Sequence, residues 1–320
     1  MLVPRLIFQA EDSGFSAGLE DIFNTAVSEN RSTVRSAAAV SAGLIAIVLL
    51  CRMVVGQEKM SPLRATSLAG SVGITAACAV SLRAMIRLGA ETVSQISDCS
   101  MLMLPALASA TVSSGAPGSA GTIYAGTVFF SDLLLSLISK VLLPLVYLFI
   151  GLATANAALE NHLLDEMRGF LSWLITGCLK TVLYVYIGYI TVSGVISGST
   201  DAAAVKATKA TLSNTVPVVG SVISDASESV VAGASMLKSS LGVSGMLAVL
   251  GIFLTPFFRI AIHYLILKLT KAVCGTVGQS NHVTLVGDLS SAMGFLLAMT
   301  GACALIALLS AVCFMKAVGA

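Results

Sequence analysis

The sequence predicts an all-α protein that crosses a membrane several times. Of its 320 residues, 56% are hydrophobic and only 11% are charged, whereas a soluble domain carries about 25% charged residues. The mean hydropathy is +0.94, and several stretches reach the roughly 20 apolar residues that a spanning helix needs. We therefore expect a polytopic helical membrane protein with about six to eight transmembrane helices.

The first 88 residues divide into a polar segment and a pair of spans. Residues 1–35 carry most of the N-terminal acidic groups, with apolar side chains at near-helical spacing between residues 15 and 27. This pattern predicts a short amphipathic helix ahead of the first span. Residues 36–55 and 66–85 are then the first transmembrane pair, within a region that we place at 36–88.

The next segment is rich in small residues and prolines. Residues 89–121 contain Pro105 and Pro117 among many Ala, Ser and Gly residues, so we expect the helix to break at Pro105. Residues 122–157 are apolar, with Asp132, Lys140 and Pro144 as their main interruptions. They predict either one long helix kinked at Pro144 or two spans joined by a tight turn.

Three further apolar segments complete the predicted membrane region. Residues 170–196 hold Lys180 well inside the span, and residues 285–314 form the last span. Residues 241–269 lie between them and hold Pro256, where we expect a further helix break. A charge inside a span is costly in lipid, so Lys180 and Asp132 are candidate cavity-lining residues. We expect Lys180 to reach a buried partner such as Asp132; the alternative is a lysine that snorkels to the interface.

Residues 200–242 are too polar to cross a bilayer and lie between two apolar segments. Lys206 and Lys209 share one helical face, and Asp225 and Glu228 share another. Pro217 and Gly220 between them predict a break, and therefore a helical hairpin that enters or lies on the membrane. The alternative is a solvated amphipathic loop. In the first case the four charges are candidates for lining a polar cavity or docking a partner.

An internal repeat is suggested by the spacing of the prolines. Pro105 and Pro217 are 112 residues apart, and so are Pro144 and Pro256. We accordingly divide the membrane region into repeat A, residues 89–199, and repeat B, residues 200–320. Paired segments interrupted by proline or glycine in two halves point to a transport site with broken or re-entrant helices.

No motif for catalysis, metal binding or nucleotide binding is present. The chain lacks G-x-x-x-x-G-K-[ST], H-E-x-x-H and G-x-S-x-G. Its seven cysteines are scattered without a C-x-x-C pair, and its three histidines are far apart in sequence. We therefore expect no catalytic residues, no metal and no cofactor, and we predict that the protein is not an enzyme. The net charge of +2 gives no sign of a nucleic-acid partner.

The central motifs resemble those of the stage III sporulation protein AE family of endospore-forming bacteria. The similarity rests on Lys206, Lys209, Pro217-Val218-Val219-Gly220, Ser224-Asp225-Ala226, Leu237-Lys238, Gly242 and Pro256, together with Leu104-Pro105 and the small residues after it. It covers most of the chain. Members usually begin with a cleavable signal peptide, and the N-terminus here has no apolar stretch of that length.

The resemblance implies a multi-pass protein of the outer forespore membrane, on the mother-cell side. Such proteins belong to a channel complex between mother cell and forespore. The implied partners are other stage III sporulation membrane and ring proteins, indirectly an ATPase, and the lipid bilayer; a homo-oligomer stays open. The predicted function is a membrane component of this channel, in the role of a permease-like subunit. The alternatives are an autonomous secondary transporter and a structural membrane anchor for the ring proteins.

Overall fold

The structure, a computed structural model, describes residues 15–55, 63–113, 117–192 and 240–319. In these ranges the regular elements are helices: α1 Phe15–Glu29, α2 Arg31–Val55, α3 Leu63–Ser113, α4 Pro117–Leu137, a π-helical turn Ile138–Leu142, α5 Leu143–Leu159, α6 His162–Val192, α7 Ser240–Val277 and α8 Ser280–Gly319. Six segments of the described chain are long and apolar enough to cross a membrane: Leu19–Val54, Ser67–Pro105, Tyr124–Leu159, His162–Thr191, Gly245–Thr276 and Ser280–Cys313. The predicted polytopic all-α fold is confirmed.

Helix α8 is the centre of the bundle. In its apolar stretch 94% of the residues are buried, against 22% to 44% in the other five candidate spans. Near the midpoints of α3 and α8, a Cβ built on Gly89 would lie within 3.8 Å of Leu296, Ile260 and Thr300 side-chain atoms. We call this contact of α3, α7 and α8 the mid-height layer.

The predicted N-terminal amphipathic helix is present as α1. It buries Ile22 and Ala26, and its Phe23 ring lies edge-on to Phe258 of α7 at 5.6 Å between centroids. Where α1 meets α2, the Asn30 side-chain amide donates hydrogen bonds to the Ala26 and Thr255 carbonyls. The N-terminal helix is therefore docked on α7 halfway along the bundle.

Two of the predicted helix breaks are wrong. Pro105 lies inside α3 and Pro256 lies inside α7, and both helices continue through them. A proline removes one backbone donor, and packing against neighbouring helices in a bundle tolerates that loss. As a consequence α3 is 51 residues long and extends far beyond residue 85, where the sequence suggested that the second span ends.

The segment around Pro144 forms one continuous helical span, which selects the first of the two predicted alternatives. Proline offers no N–H to the carbonyl four residues earlier, and the chain widens here into a π-helical turn. In it the Leu143 N–H donates to the Ile138 carbonyl. Ile138 and Leu142 are buried while Lys140 points outward, so the turn leaves the apolar face intact.

Two tight turns lie at the same end of the bundle, which we call the turn end. The first joins α5 to α6 at Glu160 and Asn161, where Glu160 adopts a left-handed conformation with φ 52°. The second joins α7 to α8 at residues 278–279. Ser67, near the start of α3, donates to the Ala157 carbonyl at 2.9 Å and lies next to His282 of α8. These contacts tie α3, α5 and α8 together at this end.

Each proposed repeat contains a proline-bearing helical segment, a tight turn and a long helix. In the first these are α4 to α5 followed by α6, and in the second α7 followed by α8. The repeat and the domain bounds at 35, 88, 199 and 242 stay predictions.

Candidate functional site

A stripe of polar side chains runs along the outward face of α3. Arg83, Arg87, Glu91 and Asp98 are exposed, with Ser94 and Gln95 between the last two. Steps of three and four residues keep such side chains on one face of a helix. Arg87 donates to the Glu91 carboxylate at 2.6 Å, and 82% of the Arg87 side chain is exposed. We call these six residues the polar stripe.

The polar stripe is centred on the mid-height layer. Gly89 of that layer lies between Arg87 and Glu91 in the chain. Arg83 and Asp98, the first and last residues of the stripe, are 15 residues apart, which is a rise of about 22 Å along the helix. Beyond each end the same face is apolar: Val80 is 79% exposed and Leu102 is 81% exposed. A helix that faces lipid carries its charges near its ends and apolar side chains in the middle. This face has the reverse order, so it is suited to water or protein rather than to lipid.

A buried ion pair joins α6 to α8 near the turn end. Arg168 donates through Nη1 to the Asp288 carboxylate and through Nη2 to Asp165 on its own helix. The side chains of Arg168 and Asp288 are only 20% and 11% exposed. Taking both charges out of water is costly unless they are paired and hydrogen-bonded. The pair therefore fixes how α6 sits against the central helix.

A small open cavity of about 340 Å³ lies beside this ion pair. Its wall includes Asp165, Asp288 and the polar residues of the first turn, and the Asn281 amide of α8 donates to the Glu160 carboxylate across it. His282, which follows Asn281 in the chain, is fully buried, and its Nδ1 has no hydrogen-bond partner among the described residues. The described residues contain no group of three His, Cys, Asp or Glu side chains that could hold a metal.

Lys180 and Asp132 do not meet as a buried pair, so that expectation is wrong. Both side chains are exposed, on α6 and α4 respectively. The faces on which these two helices meet are filled by aromatic rings: Phe130 of α4 packs against Tyr186 and Tyr189 of α6 at 5.3 and 5.7 Å. Both charges are consequently turned outward. Lys180 lies on the wall of a second, larger cavity between α6, α7 and α8.

The remaining predicted site residues lie outside the described ranges. These are Lys206, Lys209, Asp225 and Glu228, with the predicted break at Pro217 and Gly220. Their roles stay predictions.

Sequence reasoning missed the polar stripe and the pair of Arg168 and Asp288. The predicted second span, residues 66–85, ends between Arg83 and Arg87, whereas the helix continues to Ser113. The recurrence of polar residues at steps of four, three and four, from Arg87 to Glu91, Ser94 and Asp98, is the signal that could have revealed the stripe. For the ion pair, separated by 120 residues, nothing local in the sequence indicates the contact.

The fold and these polar surfaces define a multi-pass helical membrane protein. Residues 10–318 match the family described as stage III sporulation protein AE. The chain therefore belongs to the stage III sporulation protein AE family, which is not a known class of enzyme. It is similar to the stage III sporulation protein AE of Bacillus subtilis (strain 168), with 23% identity over 218 residues. The match covers 68% of this chain and 55% of the relative, so the chain spans about half the length of the curated relative it matches. No solved structure matches the chain.

Proposed function

We propose that the chain is a membrane component of the channel complex between mother cell and forespore, in the role of its permease-like subunit. Family membership supports a role in sporulation, and the six candidate spans support a multi-pass membrane location. The finer location is the outer forespore membrane on the mother-cell side. The partners are other stage III sporulation membrane and ring proteins and, through them, an ATPase.

The observation that carries the conducting role is the polar stripe on α3. With the mid-height layer at the bilayer centre, its rise of about 22 Å crosses most of a hydrocarbon core of about 30 Å. Charged side chains that faced lipid there would be costly, by at least about 2.5 kcal/mol for each one near the bilayer centre. In the assembled complex the stripe therefore faces a water-filled path, which this chain encloses together with other subunits.

The test compares two single cysteines at the same height on different helices. Glu91 of α3 has 51% of its side chain exposed, and Leu148 of α5 is 52% exposed. Leu148 precedes Phe149, whose ring packs on Phe295 beside the mid-height layer at 5.3 Å. Each would be replaced by cysteine after removal of the seven native ones, and a membrane-impermeant thiol reagent applied to membranes that contain the assembled complex.

A conducting role predicts that Glu91→Cys is modified and that Leu148→Cys is not. If Glu91→Cys is protected in the complex but modified in the purified chain, the stripe docks a protein and the chain is an anchor. If both positions are modified equally, this height lies outside the bilayer and the proposal is wrong. An autonomous secondary transporter would instead move solute when the purified chain alone is reconstituted into vesicles.

A further inference from the structure

The larger cavity lies between α6, α7 and α8 and has a volume of about 560 Å³. Glycines line part of it, and a Cβ built on Gly169 or Gly177 of α6 would have no atom of the described residues within 4 Å, so the space beside them is open. On the opposite wall a Cβ on Gly287 would lie 2.8 Å from the Nζ and Cδ of Lys271. The absence of a side chain at Gly287 therefore leaves room for the Lys271 side chain to lie across α8.

Three lysines from two helices share this cavity. Lys180 comes from α6, and Lys268 and Lys271 come from α7; none of the described residues on its wall is acidic. The Lys268 ammonium donates to the Tyr264 hydroxyl at 2.9 Å, which holds it at the wall. The acidic group next to the cavity, Asp288, is paired with Arg168.

Among the residues that the structure describes, the local charge balance leaves the cavity positive. The two neighbouring carboxylates, Asp165 and Asp288, are bridged by Arg168, and Asp288 also interacts with the charge of Lys271. Against these two negative charges stand Arg168 and the three lysines of the cavity. Uncompensated ammonium groups that share a concave site with hydroxyls are suited to a phosphate oxyanion. Ser172 and Thr176 supply such hydroxyls, whereas the Ser290 hydroxyl donates to the Tyr264 carbonyl.

The cavity extends from the mid-height layer, where Lys180 of α6 and Phe295 of α8 line it, to the headgroup boundary of a bilayer. The Lys180 side chain slants toward the N-terminus of α6, and therefore toward that boundary. Helices α6 and α8 are in a constant register: Arg168 contacts Asp288 and Tyr186 contacts Ile306, each pair 120 residues apart. Ser290, on the cavity wall, lies ten residues from Thr300 of the mid-height layer, a rise of about 15 Å. That is half the thickness of a hydrocarbon core of about 30 Å.

The rim of the cavity is aromatic and open to the outside of the bundle. Trp173 lines it, is exposed, and stacks on exposed Phe170 with 5.9 Å between ring centroids. Tryptophan with an apolar body and a polar N–H favours the membrane interface. An apolar rim next to lysines fits a ligand with a phosphate head and an apolar tail.

We propose that this cavity binds the phosphate headgroup of an anionic phospholipid. The lysines and hydroxyls of the wall contact the phosphate oxygens, and the acyl chains pass Trp173 into the surrounding bilayer. A soluble phosphate anion shares the headgroup chemistry, so the test separates the two sources.

The test uses Trp173, the single tryptophan of the chain, as an intrinsic probe. The chain in detergent micelles is titrated with phosphatidylglycerol, with phosphatidylcholine or with inorganic phosphate, and the Trp173 emission is followed. We expect a saturable change with phosphatidylglycerol and none with phosphatidylcholine. Each of Lys180→Gln and Lys271→Gln should weaken the apparent affinity about fivefold, as expected for one lysine at an anionic lipid surface.

Two matched controls separate the cavity from general effects. Lys140 is an exposed lysine of the π-helical turn that does not line the cavity, so Lys140→Gln should leave the titration unchanged. Gly177→Leu should fill the cavity and abolish the response, whereas Gly151→Leu on α5, also with no atom within 4 Å of its Cβ, should not.

Each outcome decides the proposal. A lysine-dependent response to phosphatidylglycerol that inorganic phosphate does not displace supports a lipid headgroup. A saturable, lysine-dependent response to inorganic phosphate alone supports the phosphate chemistry and assigns the site to a soluble anion instead. Equal responses to the two lipids, or an equal loss in Lys140→Gln and Lys271→Gln, would overturn it.

Discussion

Arg168 and Asp288 show how a single contact orients two helices. Arg168 bridges two carboxylates, but Asp165 is on its own helix and is half-exposed, whereas Asp288 is nearly buried on α8. The two partners are therefore not equivalent. Removal of Asp288 leaves Arg168 paired with Asp165, while removal of Arg168 leaves a buried carboxylate without its main partner.

We predict that Arg168→Met destabilises the protein more than Asp288→Leu does. Stranding one member of a buried pair costs about 3 to 5 kcal/mol, and here the cost falls mainly on the arginine substitution. The measurement is the thermal unfolding midpoint of each purified variant in the same detergent, with the double variant to complete a cycle.

The matched control is the exposed pair of His162 and Glu166 on the same helix, whose side chains are 86% and 66% exposed. Glu166→Gln should change stability by less than about 0.5 kcal/mol. Equal losses for Arg168→Met, Asp288→Leu and Glu166→Gln would show that the buried pair does not hold α6 against α8.

At the scale of elements, close helix packing in this bundle depends on particular glycines. Gly126 of α4 faces Tyr189 of α6, and a Cβ built there would lie 2.0 Å from the tyrosine Cε1. The Tyr189 ring also packs against Phe130, so its position is shared by both helices. Small residues at helix contacts are a general means of close approach in membranes.

We predict that Gly126→Ala destabilises the bundle by about 1 to 3 kcal/mol, because the tyrosine ring must move to admit the methyl group. Gly151→Ala on α5 is the matched control, since its Cβ would meet nothing within 4 Å. That variant should gain roughly 0.5 to 1 kcal/mol from helix propensity. Unfolding midpoints that are equal or reversed between the two variants would contradict the packing described for α4 and α6.

The sequence predicted the helical elements better than their ends. Composition and apolar runs sufficed for the fold class and for α1, since burial in a bilayer constrains both length and polarity. The predicted range of six to eight spans includes the six candidate spans of the described residues. The lengths of α3 and α7 were not predictable from Pro105 and Pro256, because a proline ends a helix only where the bundle does not compensate for the lost donor. The outward direction of Asp132 and Lys180 depended on which aromatic rings fill the helix contact, and that is decided by tertiary packing.

For the whole molecule, the longest helices exceed the thickness of a membrane. Helix α8 has 40 residues and α3 has 51, or about 60 and 76 Å, against a hydrocarbon core of about 30 Å. The bundle therefore extends beyond the bilayer when its mid-height layer is at the centre. The polar residues of the turn end then lie in or beyond the headgroup region, where water satisfies them.

This arrangement predicts that the two turns face the same side of the membrane. Ser67 and His282 connect the start of α3 to both turns, and the span Tyr124–Leu159 leads from the other end of the bundle to the first turn. Single cysteines at Asn161 and Gln279 should be modified by an impermeant thiol reagent from one side only, and a cysteine at Gly121 from the opposite side only. Right-side-out and inverted vesicles supply the two sides.

Labelling of Asn161→Cys and Gln279→Cys from opposite sides would contradict the bundle, because the contacts of Ser67 could not form. Labelling of Gly121→Cys from the side of Asn161→Cys would instead mean that the segment with the π-helical turn enters the membrane and returns, so that Lys140 marks a re-entrant bend rather than the middle of a span.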